Sequence, residues 1–139
     1  MVNWLYKATL VLCCFSFVFF EAQSQGWREY YNQSVTSYEA DQLDQAYEQA
    51  SKCLQQYLSE SGAANENYAS ILRHFGNVCF SLEKYDQGIE LINKEIAIRE
   101  AKQDQLLASA RLNLAEFYKQ QEKYVEAIEQ ILISEKILQ

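Results

Sequence analysis

One segment of this chain is said twice, and that most constrains what it can fold into. "FGNVCFSLEKYDQGIE", from Phe75 to Glu90, returns as "LAEFYKQQEKYVEAIE", from Leu114 to Glu129. Tyr85 is matched by Tyr124, Gly88 by Ala127 and Ile89 by Ile128, each 39 residues later. A fainter copy, "DQLDQAYEQA", lies upstream, where Ala46 stands 42 residues before Gly88. A period of about 40 residues built from paired helices predicts a solenoid, since one helix pair cannot bury its apolar faces alone.

Each copy divides into two amphipathic helices. In the first, Trp27 to Tyr38 and then Leu43 to Leu58 are expected to be helical. In the second, Ile71, Leu72, Phe75, Val78, Cys79 and Leu82 recur at three- and four-residue steps, which predicts a helix from about Asn67 to Leu82. "EKYD" is the turn, and Ile89, Ile92 and Ile96 mark one face of a helix from Tyr85 to Lys102. In the third copy Leu107, Ala110, Leu114 and Phe117 mark one helix, and Tyr124, Ala127, Ile128 and Ile131 the other. All these apolar residues are expected in the core. The chain has no Pro and only four Gly, as a nearly all-helical chain should. The clearest break is "SESGAANEN", with Gly62 as helix stop and an Asn as the next cap.

Small residues recur where helices must cross: Ser34, Gly76 and Ala115 in the first helix of each copy, Ala46, Gly88 and Ala127 in the second. A helix-interior Gly costs about 1 kcal/mol relative to Ala. Gly76 and Gly88 should therefore be compensated by close packing.

A Gly or Ala at the eighth position, an aromatic before the turn and "Tyr-x-x-Ala" opening the second helix resemble the tetratricopeptide repeat. The resemblance implies an all-α helical-hairpin solenoid of three repeats, at 27–62, 67–103 and 106–139. The longer period, "IAIRE" (Ile96 to Glu100) and "ARLNLAEFY" (Ala110 to Tyr118) are similar to the longer-spaced subtype of kinesin light chains. That subtype also occurs in bacterial proteins with a caspase-like CHAT domain and in exported sensor proteins. The chain departs from the pattern in lacking the Pro that closes each repeat, and in carrying Glu95 where a small residue is expected.

The first segment reads differently. Lys7, the apolar run Ala8 to Phe20 and the small-x-small site Ala22, Gln23, Ser24 predict a signal peptide over residues 1–24, cleaved after Ser24. A retained anchor and a lipid on Cys13 or Cys14 are the alternatives. Cleavage leaves no membrane attachment. The expectation is an exported protein, periplasmic or extracellular, of bacterial kind. Cys53 and Cys79 then remain, as a disulfide or as two small buried hydrophobes.

Chemistry is sparse. The net charge of −7 argues against nucleic acid, which needs clustered Lys and Arg. His74 is the only histidine, and it points about 140° away from Cys79 on the same helix. No phosphate loop or zinc spacing is present, and no catalytic residue, cofactor or metal is expected. "NQS" (Asn32 to Ser34) matches a glycosylation sequon but lies within a helix.

The resemblance implies instead a concave groove lined by the first helix of each repeat. Repeat position assigns to it Tyr31, Asn32, Val35 and Tyr38, then Arg73, His74, Asn77 and Phe80, then Leu112, Asn113, Glu116 and Lys119. Asn can pair with a peptide backbone, Arg can grip a carboxylate bidentately, and aromatics supply contact area. Arg73, Asn77 and Asn113 also match part of the clamp by which such domains capture a terminal carboxylate. Finally, Leu132, Ile133, Ile137 and Leu138 give the last helix an apolar face too wide for an end cap. That predicts either more chain downstream or a homo-oligomer through this helix. The expected function is an exported, non-catalytic module binding a protein or peptide. The alternatives are the regulatory front of a longer enzyme, a caspase-like protease or a sensor kinase, and a membrane-tethered scaffold.

Overall fold

The computed structural model describes residues 26–62 and 65–139. The segment expected to direct export, residues 1–24, lies outside them. Six helices follow one another: α1 (Gly26–Glu39), α2 (Leu43–Ser61), α3 (Glu66–Ser81), α4 (Tyr85–Lys102), α5 (Leu107–Gln120) and α6 (Tyr124–Ile137). Among the described residues there is no strand. α1 packs most extensively on α2, α3 on α4 and α5 on α6, while α2 meets α3 and α4 meets α5 less extensively. α1 also touches α3. This is the stacked helical-pair architecture that the repeat predicts.

The turns repeat as faithfully as the helices. Asp41, Glu83 and Glu122 adopt left-handed backbone, with φ of 58°, 58° and 59°. The next amide in each turn reaches back five residues: Gln42 to the Ser37 carbonyl at 2.8 Å, Lys84 to Cys79 at 2.8 Å and Lys123 to Tyr118 at 2.9 Å. These bonds satisfy carbonyls that a helix end leaves unpaired. At the longer break, Gly62 takes a positive φ of 69°. Asn65 then caps α3, its side-chain oxygen accepting from the Tyr68 amide at 3.0 Å.

The small residues sit where the helices approach most closely. A Cβ built on Gly76 would lie 2.7 Å from Ile92 Cδ1, and one on Gly88 only 2.1 Å from Phe117 Cε1. Ser34 uses its hydroxyl instead, donating to the Ala46 carbonyl at 2.7 Å.

The apolar interior forms two clusters. One joins α1 to α4 through Trp27, Tyr57, Ile71, Leu72, Phe75 and Leu91. The other joins α4 to α5 through Ile92, Ile96, Ala110, Leu114 and Phe117. Among the described residues α6 adds nothing to either. Here the structure corrects an expectation. Tyr124, Ile128 and Ile131 are 58%, 56% and 39% exposed, and only Ala127 of the four predicted core positions is buried. Among the described residues no helix covers the side of α6 that carries them.

Glu95 is the other departure from the repeat, and it is fully buried. Its Oε1 accepts from Arg99 Nε at 2.6 Å and from Arg73 Nε at 2.8 Å. Arg99 is buried too, and its other end donates to Asp104 Oδ2 at 2.5 Å. A carboxylate at a small-residue position is thus accommodated by two guanidinium groups, which tie α3, α4 and the α4–α5 loop together. Removing one partner of such a buried pair typically costs about 3–5 kcal/mol, because the other charge is left stranded.

Candidate functional site: a cleft across three helices

α1, α3 and α5 are the first helices of the three pairs, so equivalent residues on them fall along one side of the stack. Tyr38 from α1, Asn77 and Phe80 from α3, and Asn113 and Glu116 from α5 line a single cleft of about 250 Å³. Five groove residues named from sequence are thereby brought together. Phe117 joins them and was missed. Its apolar spacing marks it as core, and it is indeed buried, but its ring also floors the cleft. That ring meets Phe80 edge to face at 5.0 Å, and Phe80 meets Tyr85 at 5.8 Å.

Tyr31 is not in this cleft. With Trp27, Arg28, Asn32, Asn67, Ser70 and Ile71 it lines a second cleft of about 250 Å³ between α1 and α3. Arg28 and Asn67 carry no signal that could have marked them, since the repeat position that selects the groove does not include them.

His74 stands between the two. Its ring lies 5.3 Å from that of Tyr31 and 6.0 Å from that of Tyr38. Nε2 is 2.8 Å from Ser34 Oγ. The Ser34 proton is committed to the Ala46 carbonyl, so the imidazole Nε2–H donates to Ser34 Oγ. Burial holds the His74 pKa below its ordinary value, which suits a neutral ring. Tyr38 continues the line, its hydroxyl bonding Ser81 Oγ at 3.0 Å.

The charged candidates are paired within the chain, Arg73 to a buried carboxylate and Lys119 to an exposed one. Arg73 spends its Nε on Glu95, and its terminal nitrogen lies 3.4 Å from the Leu106 carbonyl. It is absent from the residues lining the main cleft. Lys119 donates to Glu116 at 3.2 Å. Of the three residues that matched a carboxylate clamp, the structure unites Asn77 and Asn113 and turns Arg73 to Glu95. The cleft therefore offers two amides, three aromatic rings and one carboxylate, a set suited to main-chain amides and flat or apolar side chains.

The cysteines take no part. Cys53 and Cys79 are free and buried in the first cluster. Burial pushes their thiols up to about 12 and about 11, which leaves them protonated and inert. Among the described residues no three His, Cys, Asp or Glu side chains are grouped to hold a metal ion. No described helix is long and apolar enough to cross a membrane.

No family model matches the sequence, and no curated protein does. In three dimensions the chain is similar to the N-terminal domain of stress-induced protein-1 (STI-1) from C. elegans. The TM-score is 0.66 at 13% identity, over 84% of this chain and 87% of that one. At that identity the likeness concerns the fold alone, and it gives this chain a tetratricopeptide-like helical-repeat architecture.

Proposed function

We propose that the chain is a non-catalytic protein-interaction module that holds an extended segment of a partner in the α1–α3–α5 cleft. The supporting observation is the convergence of Tyr38, Asn77, Phe80, Asn113 and Glu116 from three helices on one cleft. Asn77 and Asn113 would pair with the partner's main chain, and the aromatic rings would receive its side chains. With Arg73 bonded to Glu95 and absent from the cleft lining, a terminal carboxylate is not part of the proposed recognition. Export rests on the apolar run Ala8 to Phe20, and N-terminal sequencing of the protein recovered from outside the cytoplasm tests it.

Selection from a random peptide library, followed by titration of the winners, tests the cleft. Peptides selected on the full chain should bind Asn77→Ala/Asn113→Ala at least about tenfold more weakly, the loss expected for two main-chain hydrogen bonds. Amidating their C-termini should change little. Equal binding to the double variant would remove the cleft from the proposal.

A further inference from the structure

The last helix exposes a face that its counterpart hides. Along α4, Tyr85 and Ile89 pack at the edge of the second cluster, and Ile92 and Ile96 lie within it at 0% and 4% exposure, covered by α5. Thirty-nine residues on, the same positions of α6 hold Tyr124, Ile128, Ile131 and Glu135. All four are exposed, as are Val125, Leu132 and Leu138 beside them. The register thus shows what covers this face elsewhere in the molecule: a helix of the same cluster, whose Phe117 meets Gly88. With the two helices antiparallel from that contact, Ala110, seven residues before Phe117, falls toward Ile96, eight residues after Gly88, with Leu114 between.

Two substitutions in α6 change what that helix must carry. Glu135 replaces Ile96, and among the described residues its carboxylate has no ion-pair partner. A covering helix must answer it with a cation where α5 has Ala110. Ala127 replaces Gly88, where a Cβ would collide with Phe117. The covering helix must therefore carry something shorter than Phe at that place. A second copy of this chain fits poorly. The far end of its stack, the outer face of α1, is polar, with Arg28, Glu29, Asn32, Gln33, Thr36 and Glu39 exposed. Contact through α6 itself would bury Glu135 of both copies against a face whose other members, Tyr124, Ile128 and Ile131, supply no cation.

We propose that the open face of α6 docks an amphipathic helix of a partner protein, with Lys or Arg at one position and aliphatic side chains four and seven residues later. This site is separate from the cleft, and either could fail without the other.

The probe is the chain's own α5 peptide, Leu107–Gln120, synthesised with Ala110→Lys and Phe117→Leu and labelled for anisotropy. A second peptide carries Ala110→Glu in place of Ala110→Lys. The lysine peptide should bind the full chain about tenfold more tightly than the glutamate peptide. Glu135→Lys should invert that preference. Ile131→Glu, a surface change, should weaken the lysine peptide about tenfold, whereas Asn113→Ala should leave it unaltered. Equal affinities for the two peptides, binding indifferent to Ile131→Glu, or no binding of either would overturn the proposal. So would a dimer in sedimentation that is abolished by Ile131→Glu, since a second copy would then be the occupant.

Discussion

Gly88→Ala should destabilise the protein, although Ala is the better helix former. The new methyl would lie 2.1 Å from Phe117 Cε1 and 2.5 Å from Cζ, so ring and helix must separate by more than an ångström. The ring cannot swing into solvent cheaply. Phe117 is 2% exposed and is held edge to face by Phe80 at 5.0 Å and Tyr85 at 6.4 Å. Overpacking of this kind costs about 1–3 kcal/mol. The gain in helix propensity returns about 1 kcal/mol. The net loss should be up to about 2 kcal/mol, read as a lower urea midpoint at unchanged slope. Adding Phe117→Leu should make Gly88→Ala nearly harmless, because the collision is with the ring edge. A Gly88→Ala variant more stable than the parent by the full propensity gain of about 1 kcal/mol would refute the close-approach reasoning and leave propensity alone in charge.

Two further predictions concern buried polar groups. Glu95→Ala should lower stability by about 3–5 kcal/mol by stranding Arg99, and Glu95→Ala/Arg99→Leu should recover most of that in the same urea titration. The imidazole of His74 should make stability fall as the solution becomes acidic. Its folded pKa is depressed, so above the ordinary value of 6.5 both folded and unfolded rings are neutral and the full stability is present. Below that value the unfolded chain takes the proton first, and stability drops until the folded pKa is reached. The urea midpoint should therefore fall more between about pH 7 and pH 5 in the parent than in His74→Gln. Parallel curves would show that burial does not perturb this ring.

The buried faces were the most legible part of the sequence, because repetition doubles the signal. Tyr85 and Ile89 announce their partners by their copies, and Gly88 announces a close crossing by being Gly. The same logic misplaced Tyr124, Ile128 and Ile131, since equivalent residues are covered or exposed according to whether another helix packs on them. Periodicity reports the face and not its cover. For the cleft, repeat position was enough to gather Tyr38, Asn77, Phe80, Asn113 and Glu116, because equivalent residues on α1, α3 and α5 lie in line. It could not show that Arg73 is bonded to Glu95, a residue 22 positions away on another helix. It could not place Tyr31 in a different cleft, which depends on how α1 and α3 come together around Trp27 and Ile71. Glu95 itself reads as a flaw in the pattern until Arg99 and Asp104 are seen around it.

Because α6 joins neither apolar cluster, cohesion is uneven along the stack. The α1–α4 end holds the larger share of the interior, whereas among the described residues α6 is held chiefly by α5. Opening should begin at α6 and travel backward, so its amides should exchange with solvent soonest and those of α3 last.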